Sequence, residues 1–160
     1  MFKSLSLCFC LLAVPTVAAD WTFEGGHTPI AYADNEEAQF QFACRNGDLA
    51  MAFWVRKPDA AVATAPSLSL AMNARGGSAS DGSDTTFAQD FPLIHYDGSS
   101  LLIRGPVARQ WAQDAQRARV GLELAFVKSR NSGGTQFIDR QKFGAQGSSA
   151  AIGKVLSSCG

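Results

Sequence analysis

The sequence has 160 residues, of which 14 are Lys or Arg and 14 are Asp or Glu, so its formal net charge at pH 7 is zero. A chain of this length is long enough to form one domain with a sizeable core. The balanced charge provides no basic surface for a phosphate backbone, so the composition argues against a nucleic-acid partner.

Residues 1–19 have the three parts of a secretory signal peptide. Lys3 provides a positive charge, residues 5–14 are apolar, and small residues precede a cleavage site after Ala19. An apolar stretch of about ten residues is too short for a membrane-spanning helix, which needs about 20. We therefore predict a signal peptide followed by a single exported domain over residues 20–160. The domain is expected in the periplasm or secreted, with no membrane span after signal removal.

The signal segment contains Cys8 and Cys10, which leaves Cys44 and Cys159 in the exported domain. Two cysteines in an oxidising compartment most simply form one disulfide bond. Two free thiols or an intermolecular bond are the alternatives. A redox-active pair is disfavoured because the sequence contains no C-x-x-C motif.

The clearest local pattern predicts a β-hairpin around the dipeptide Asn46-Gly47. Residues 38–45 alternate between apolar and polar side chains, and the alternation resumes in residues 49–55. Asn-Gly suits a two-residue type I′ turn because both residues tolerate positive φ. That turn sets the pairs of facing residues: Arg45 with Asp48, Cys44 with Leu49, Phe42 with Met51, and Phe40 with Phe53.

Weaker patterns predict further strands at residues 28–33, 67–72, 91–96, 100–104, 120–126 and 135–143. The dipeptide Asp97-Gly98 marks a second hairpin-like turn, and residues 131–134 mark a third turn. Residues 58–66 and 76–86 are predicted to be surface loops because they are rich in Pro, Gly and Ser.

Two short helices are predicted, each from a stripe of apolar residues at helical spacing. The first begins at Pro106, with Val107, Trp111, Ala115 and Ala118 on its apolar side. The second begins near Ser148 or Ser149, either of which can cap a helix. Its apolar side contains Ile152, Val155, Leu156 and Cys159.

These elements predict a mainly β fold: a sandwich or barrel-like antiparallel sheet with two short helices and one disulfide. Cys44 and Cys159 both fall on core-facing positions. The disulfide is therefore expected to fasten the terminal helix to the first hairpin.

Three features together give the chain a familiar layout. An early strand ends in Cys44, a helix begins at Gly105-Pro106, and a closing segment runs from Gly147-Ser148-Ser149-Ala150-Ala151-Ile152 to Cys159. In this layout the sequence resembles the invasion-associated locus B-like family of small periplasmic proteins of Gram-negative bacteria. The resemblance implies a β-sandwich type of fold and a non-enzymatic role in the envelope. It carries over no catalytic residue.

The sequence offers few residues for chemistry. The histidines are His27, in a glycine turn, and His95, expected on a strand, and there is no hydrolase or zinc-protease motif. A hydrolytic site would have to be assembled by the fold, from His95 with a carboxylate such as Asp90 or Asp97. No metal site and no cofactor is predicted. Calcium at Asp81 and Asp84 is left open, because the loop lacks the ligand repeat of an EF-hand.

Trp54 falls on the side of the first hairpin that faces away from the core. An outward aromatic indicates either a binding surface or packing under a second layer, and packing with the helix that carries Trp111 is the default in a sandwich. As a binding surface we consider Trp54, His95 and Arg104.

We expect a periplasmic binding or interaction protein, an envelope accessory without catalytic apparatus, whose partner is an envelope protein or a glycan. The alternative is a small periplasmic hydrolase around His95. The sequence does not determine the oligomeric state.

Overall fold

The computed structural model describes residues 20–80, 84–130 and 133–159. The predicted signal peptide therefore lies outside the described residues. The described part contains nine strands and three helices, which in chain order are β1 (Thr22–Glu24), β2 (Ile30–Asp34), β3 (Ala38–Arg45), β4 (Asp48–Val55), α1 (Ala60–Ala63), β5 (Ser67–Asn73), β6 (Thr85–Ile94), β7 (Ser99–Arg104), α2 (Pro106–Gln116), β8 (Gly121–Ser129), β9 (Thr135–Gly144) and α3 (Ser148–Ser158).

The strands form one open antiparallel sheet in the order β1-β2-β3-β4-β7-β6-β5-β8-β9. β6 joins the two halves, because most of it pairs with β5 whereas Leu93 and Ile94 pair with β7. The register shifts along β5, and Asp90 in β6 has a positive φ of 54°. Such irregularities bend a strand. They occur where the sheet passes from one half to the other.

The two halves of the sheet face each other across the core. Phe53 of β4 lies 5.2 Å from Phe126 of β8, and Phe40 of β3 lies 6.1 Å from Phe143 of β9, measured between ring centroids. Burial of these aromatic side chains, together with the aliphatic side chains of the same core, holds the halves together. The predicted fold class, a mainly β antiparallel sheet with one disulfide, is confirmed.

The predicted hairpin is present with the predicted register. Cys44 pairs with Leu49, and the other three predicted pairs form as well. Asn46 and Gly47 have φ values of 54° and 84°, as a type I′ turn requires. In the second turn Asp97 and Gly98 also have positive φ. Strand β6 ends at Ile94 rather than at the predicted Tyr96, so residues 95–98 connect β6 to β7. Turn chemistry and strand alternation therefore agree fully at the first hairpin alone.

The structure contains elements that the sequence patterns did not predict. α1 lies in the predicted loop at residues 58–66, where Asp59 Oδ1 accepts the Ala61 N–H at 2.7 Å and Val62 is buried. The same Asp59 donates its N–H to Asp139 Oδ2 at 2.8 Å. Partial burial, together with the nearby Asp59 charge, raises the pKa of Asp139.

Strand β1 was missed because three residues are too few for a periodic pattern. The first half of β6 lies partly in the other predicted loop.

Two details of the predicted helices are wrong. In α2 the buried residues are Ala108, Trp111, Ala112 and Ala115, and Val107 is exposed instead. In α3 the residue before the first turn is Gly147, not a serine, and no side chain caps the helix. Gly147 has a φ of 79°, and a Cβ there would lie 3.0 Å from the Trp21 carbonyl oxygen. The close approach of the chain at Trp21 requires glycine at this position.

The disulfide joins Cys44 and Cys159, as predicted, and both cysteines are buried. It links the end of β3 to the end of α3, whose other contacts are with β1, β2 and α2. Disulfides of this structural kind persist in oxidising compartments. In the part of the chain described above, no helix has the length and apolar character needed to cross a membrane.

Candidate binding face

One side of the sheet half formed by β1, β2, β3, β4 and β7 is covered by no other element of the described chain, and we call it the outer face. In β2, β3, β4 and β7 buried residues alternate with half-buried or exposed ones, and in β1 the half-buried Phe23 lies between two exposed residues, so every second side chain belongs to this face. The face is formed by Thr22, Glu24, Ile30, Tyr32, Asp34, Gln39, Gln41, Ala43, Arg45, Asp48, Ala50, Ala52, Trp54, Ser100, Leu102 and Arg104.

Trp54 is half-buried on the outer face, and helix α2 does not cover it. Trp111 of α2 is fully buried in the main core, to which Trp54 does not belong. The default expectation that the two tryptophans pack in one layer is therefore wrong. The physical reason is the row of small alanines on α2, which lets this helix pack closely on the core side.

Trp54 is held in one orientation. Its indole Nε1 donates to the Asp97 carbonyl oxygen at 2.7 Å, and the Arg56 guanidinium lies 4.5 Å from the ring centroid. Gly98 packs directly beside it, since a Cβ there would lie 2.8 Å from Nε1 and even closer to the Val55 carbonyl oxygen. The indole is thus a rigid part of the surface before any partner arrives.

Charged groups beside Trp54 are paired with each other. Arg56 Nη2 contacts Asp34 Oδ2 at 2.5 Å, and Gln39 Nε2 donates to the same oxygen at 3.2 Å. Partial burial alone would raise the pKa of Asp34. The hydrogen bonds from Arg56 and the Glu36 N–H, with the Arg56 charge, outweigh that effect and hold the pKa below its ordinary value. Asp34 is therefore ionised at neutral pH.

The β6–β7 hairpin adds exposed apolar side chains next to Trp54. Tyr96 is 86% exposed and Ile94 is 52% exposed. They border a shallow depression of about 420 Å³ whose floor includes the small side chain of Ala52. Polar groups at its edge are Gln39, Gln41, Asp97 and Ser100. The depression therefore combines aromatic surface with amide and hydroxyl groups.

Arg104 lies on the same face, but at the other end of it. Trp54 pairs with Ser100, whereas Arg104 pairs with Ala50. Four residues of strand separate Ser100 from Arg104, about 14 Å. Arg104 is exposed and forms no ion pair with any residue in the described ranges. The predicted surface residues Trp54 and Arg104 are therefore on one face without being neighbours.

His95 follows β6 rather than lying within a strand, and both its ring nitrogens are engaged. Nε2 donates to the Ala65 carbonyl oxygen at 2.8 Å, because a carbonyl oxygen can only accept, and Nδ1 forms a hydrogen bond with the Ser99 hydroxyl at 2.9 Å. Ser99 is fully buried, and neither Asp90 nor Asp97 is hydrogen-bonded to the imidazole. The ring ties the β6–β7 hairpin to the segment before β5. A nucleophilic role for this serine would require access to a hydroxyl that the fold covers.

A buried carboxylate on the other sheet half was not singled out from the sequence. Glu123 Oε1 accepts from the Ala79 N–H at 2.9 Å and from Arg140 Nη1 at 3.0 Å. These contacts hold the loop after β5 against β8. Asp84 pairs with Arg75 at 3.0 Å, whereas Asp81 lies outside the described residues. Within the ranges described, no three His, Cys, Asp or Glu side chains come together to form a metal site, and His27 is exposed.

Comparisons with known proteins bear on the fold alone. No family model matches the sequence, and no curated protein matches it either. Among solved structures, the fold is similar to that of invasion associated protein B from Bartonella henselae, with a TM-score of 0.52 and 10% sequence identity. The similarity covers 91% of this chain and 98% of that chain. The resemblance inferred from the cysteines and helix starts is thus confirmed as a likeness of fold over nearly the whole described domain.

Proposed function

We propose that this protein is an exported periplasmic binding or interaction protein, an accessory of the cell envelope that works without a catalytic apparatus. Its partner, an envelope protein or a glycan, contacts the outer face at the end that carries Trp54. The observation that carries the proposal is the pair of exposed side chains, Ile94 and Tyr96, beside an immobilised tryptophan. Large apolar side chains that are exposed side by side, rather than singly, mark interaction sites on protein surfaces.

The composition of this patch supports the proposal. Tyr, Trp and Arg are the residues that most often dominate the binding energy of interfaces. Trp54 and Arg56 are already ordered against each other, so a partner would lose little entropy by contacting them. Export is supported by the signal-like residues 1–19 and by a buried disulfide, which is typical of oxidising compartments.

The experiment that tests the proposal is a capture assay with the purified, oxidised protein. The protein is immobilised and incubated with periplasmic extract, and retained proteins and glycans are identified by mass spectrometry. Saturable binding of one species is then measured for the wild type and for the variants Tyr96→Ser and Ile94→Thr. We expect both variants to weaken binding at least tenfold, because each removes exposed apolar surface from the patch.

The matched control is Val120→Thr, which changes an apolar residue that is 77% exposed and lies outside the outer face. This variant should bind as the wild type does. Equal retention of the partner by all three variants would show that the patch is not the binding site. The absence of any saturable ligand would argue against a binding function.

A further inference from the structure

The cross-strand register aligns the outer-face side chains in rows that run perpendicular to the strands. The first row, from β1 to β7, is Glu24, Ile30, Ala43, Ala50 and Arg104. The second row is Thr22, Tyr32, Gln41, Ala52 and Leu102. In both rows β2 carries a large side chain, β3 lies at the centre, and β4 carries an alanine.

The two ends of the first row carry opposite charges that have no ionic partner within the described chain. Glu24 and Arg104 are both exposed, and neither takes part in an ion pair with a described residue. Four strand spacings separate them, about 19 Å, so they cannot meet within one molecule. Glu24 does accept a hydrogen bond from the Tyr32 hydroxyl at 2.9 Å, which orients its carboxylate on the face.

We propose that the outer face binds a second copy of this chain, about a two-fold axis that runs along β3. The inference rests on the proposed function in that it names one partner for the same face. A two-fold axis along β3 places the strands of the second copy in the reverse order, so that each row of one copy faces the same row of the other copy. Strand β1 therefore faces β7 of the second copy, and β2 faces its β4.

This arrangement makes the face complementary to itself in charge. Glu24 lies opposite the partner's Arg104, and by symmetry the same ion pair forms a second time. On the axis, Gln41 meets the partner's Gln41, and a side-chain amide can both donate to and accept from its copy. No residue of the first row meets a like charge. Arg45, the next outer-face residue of β3, meets the partner's Arg45 on the axis, and Asp48, which pairs with Arg45 across the hairpin, lies beside it in each copy.

The face is complementary to itself in size as well. Ile30 lies opposite the partner's Ala50, and Tyr32 lies opposite the partner's Ala52. In these two rows, large side chains on β2 thus fill the space above small ones on β4 in both directions, whereas in the third row Trp54 lies opposite the partner's Asp34.

The area of the contact predicts a weak dimer. The third row is Asp34, Gln39, Trp54 and Ser100. Five strands about 4.8 Å apart and three rows about 6.8 Å apart cover roughly 24 Å by 20 Å, or about 1,000 Å² counted over both copies. Specific stable interfaces bury about 1,200–2,000 Å². We therefore expect a dissociation constant in the micromolar range or weaker. Ile94 continues the third row beyond β7, where no strand of the second copy faces it, so Ile94 and Tyr96 stay exposed in the dimer, whereas Trp54 is covered.

The test measures self-association of the purified, oxidised protein by sedimentation velocity from about 5 to 500 µM, a range chosen for an interface below the standard size. We expect a concentration-dependent dimer. Glu24→Arg and Arg104→Glu should each weaken it at least tenfold, because each places like charges opposite one another at two points. The double variant Glu24→Arg with Arg104→Glu should restore dimerisation, because both ion pairs form again with their signs exchanged.

The control is Arg119→Glu, which makes the same change of charge at an exposed position after α2. It should dimerise as the wild type does, and all variants should keep the wild-type melting temperature. A protein that stays monomeric at 500 µM would overturn the inference, as would a dimer that the single variants leave intact or that the double variant fails to restore. None of these outcomes affects the proposed function, which is decided separately by partner capture with the Tyr96 variant.

Discussion

Loss of the disulfide should remove a large part of the stability of this fold. The bond joins residues separated by 115 positions, so it closes most of the described chain into one loop. The chain-entropy relation for a loop of this size gives about 4.8 kcal/mol at 25 °C, which is comparable with the total stability of many small domains. The double variant Cys44→Ala with Cys159→Ala is expected to lose about 4–5 kcal/mol of unfolding free energy.

The assay is urea denaturation followed by tryptophan fluorescence and circular dichroism. The reduced wild type serves as the control, because it loses the cross-link but keeps both cysteine side chains. The reduced protein and the double variant should unfold at similar urea concentrations, well below that of the oxidised protein. A loss of less than about 1 kcal/mol in both would refute the reasoning, since it would mean that the cross-link barely restricts the unfolded chain.

Three further predictions concern the outer face and the hairpin beside it. Gly98→Ala should cost about 1–3 kcal/mol, because a Cβ at a φ of 110° meets backbone and Trp54; an unchanged urea midpoint would contradict the geometry. His95→Ala should cost about 1–3 kcal/mol by leaving a buried hydroxyl unpaired, whereas hydrolytic activity that disappears with this variant would instead favour the hydrolase alternative. Asp34→Asn should cost about 0.5–1 kcal/mol at pH 7, because it breaks the ion pair with Arg56. Since the pKa of Asp34 is lowered by folding, this contribution is present above the unfolded pKa and is lost as pH falls through the folded pKa. The melting-temperature difference between variant and wild type should therefore shrink at acid pH, and a constant difference would argue against the ion pair.

Local patterns in the sequence were sufficient for the strands and turns whose chemistry is self-contained. The Asn46-Gly47 turn specifies its own geometry, and the alternation around it specifies which side chains face inward, so the hairpin register could be read directly. The same reasoning placed Cys44 on the core side. Together with the helical spacing of Ile152, Val155 and Cys159, it was enough to predict the disulfide.

Other features depend on contacts between distant segments and have no local signal. Gly147 precedes α3 because Trp21 passes within 3.0 Å of the position a Cβ would occupy, a contact across almost the whole chain. The buried side of α2 shifted from Val107 to Ala108 because tight packing on the sheet favours the smaller residue. The periodicity of apolar residues alone predicts neither the glycine before α3 nor which side of α2 is buried.

The candidate site shows the same division. The sequence by itself determined that Trp54 points away from the core, because strand alternation assigns every side chain to one of two faces. Only the tertiary structure decided that nothing in the described chain covers it, that Asp97 and Arg56 immobilise it, and that Glu24 and Arg104 end the same row. The order of strands in the sheet brings these residues together, and that order is set by the packing of the whole core rather than by any local pattern.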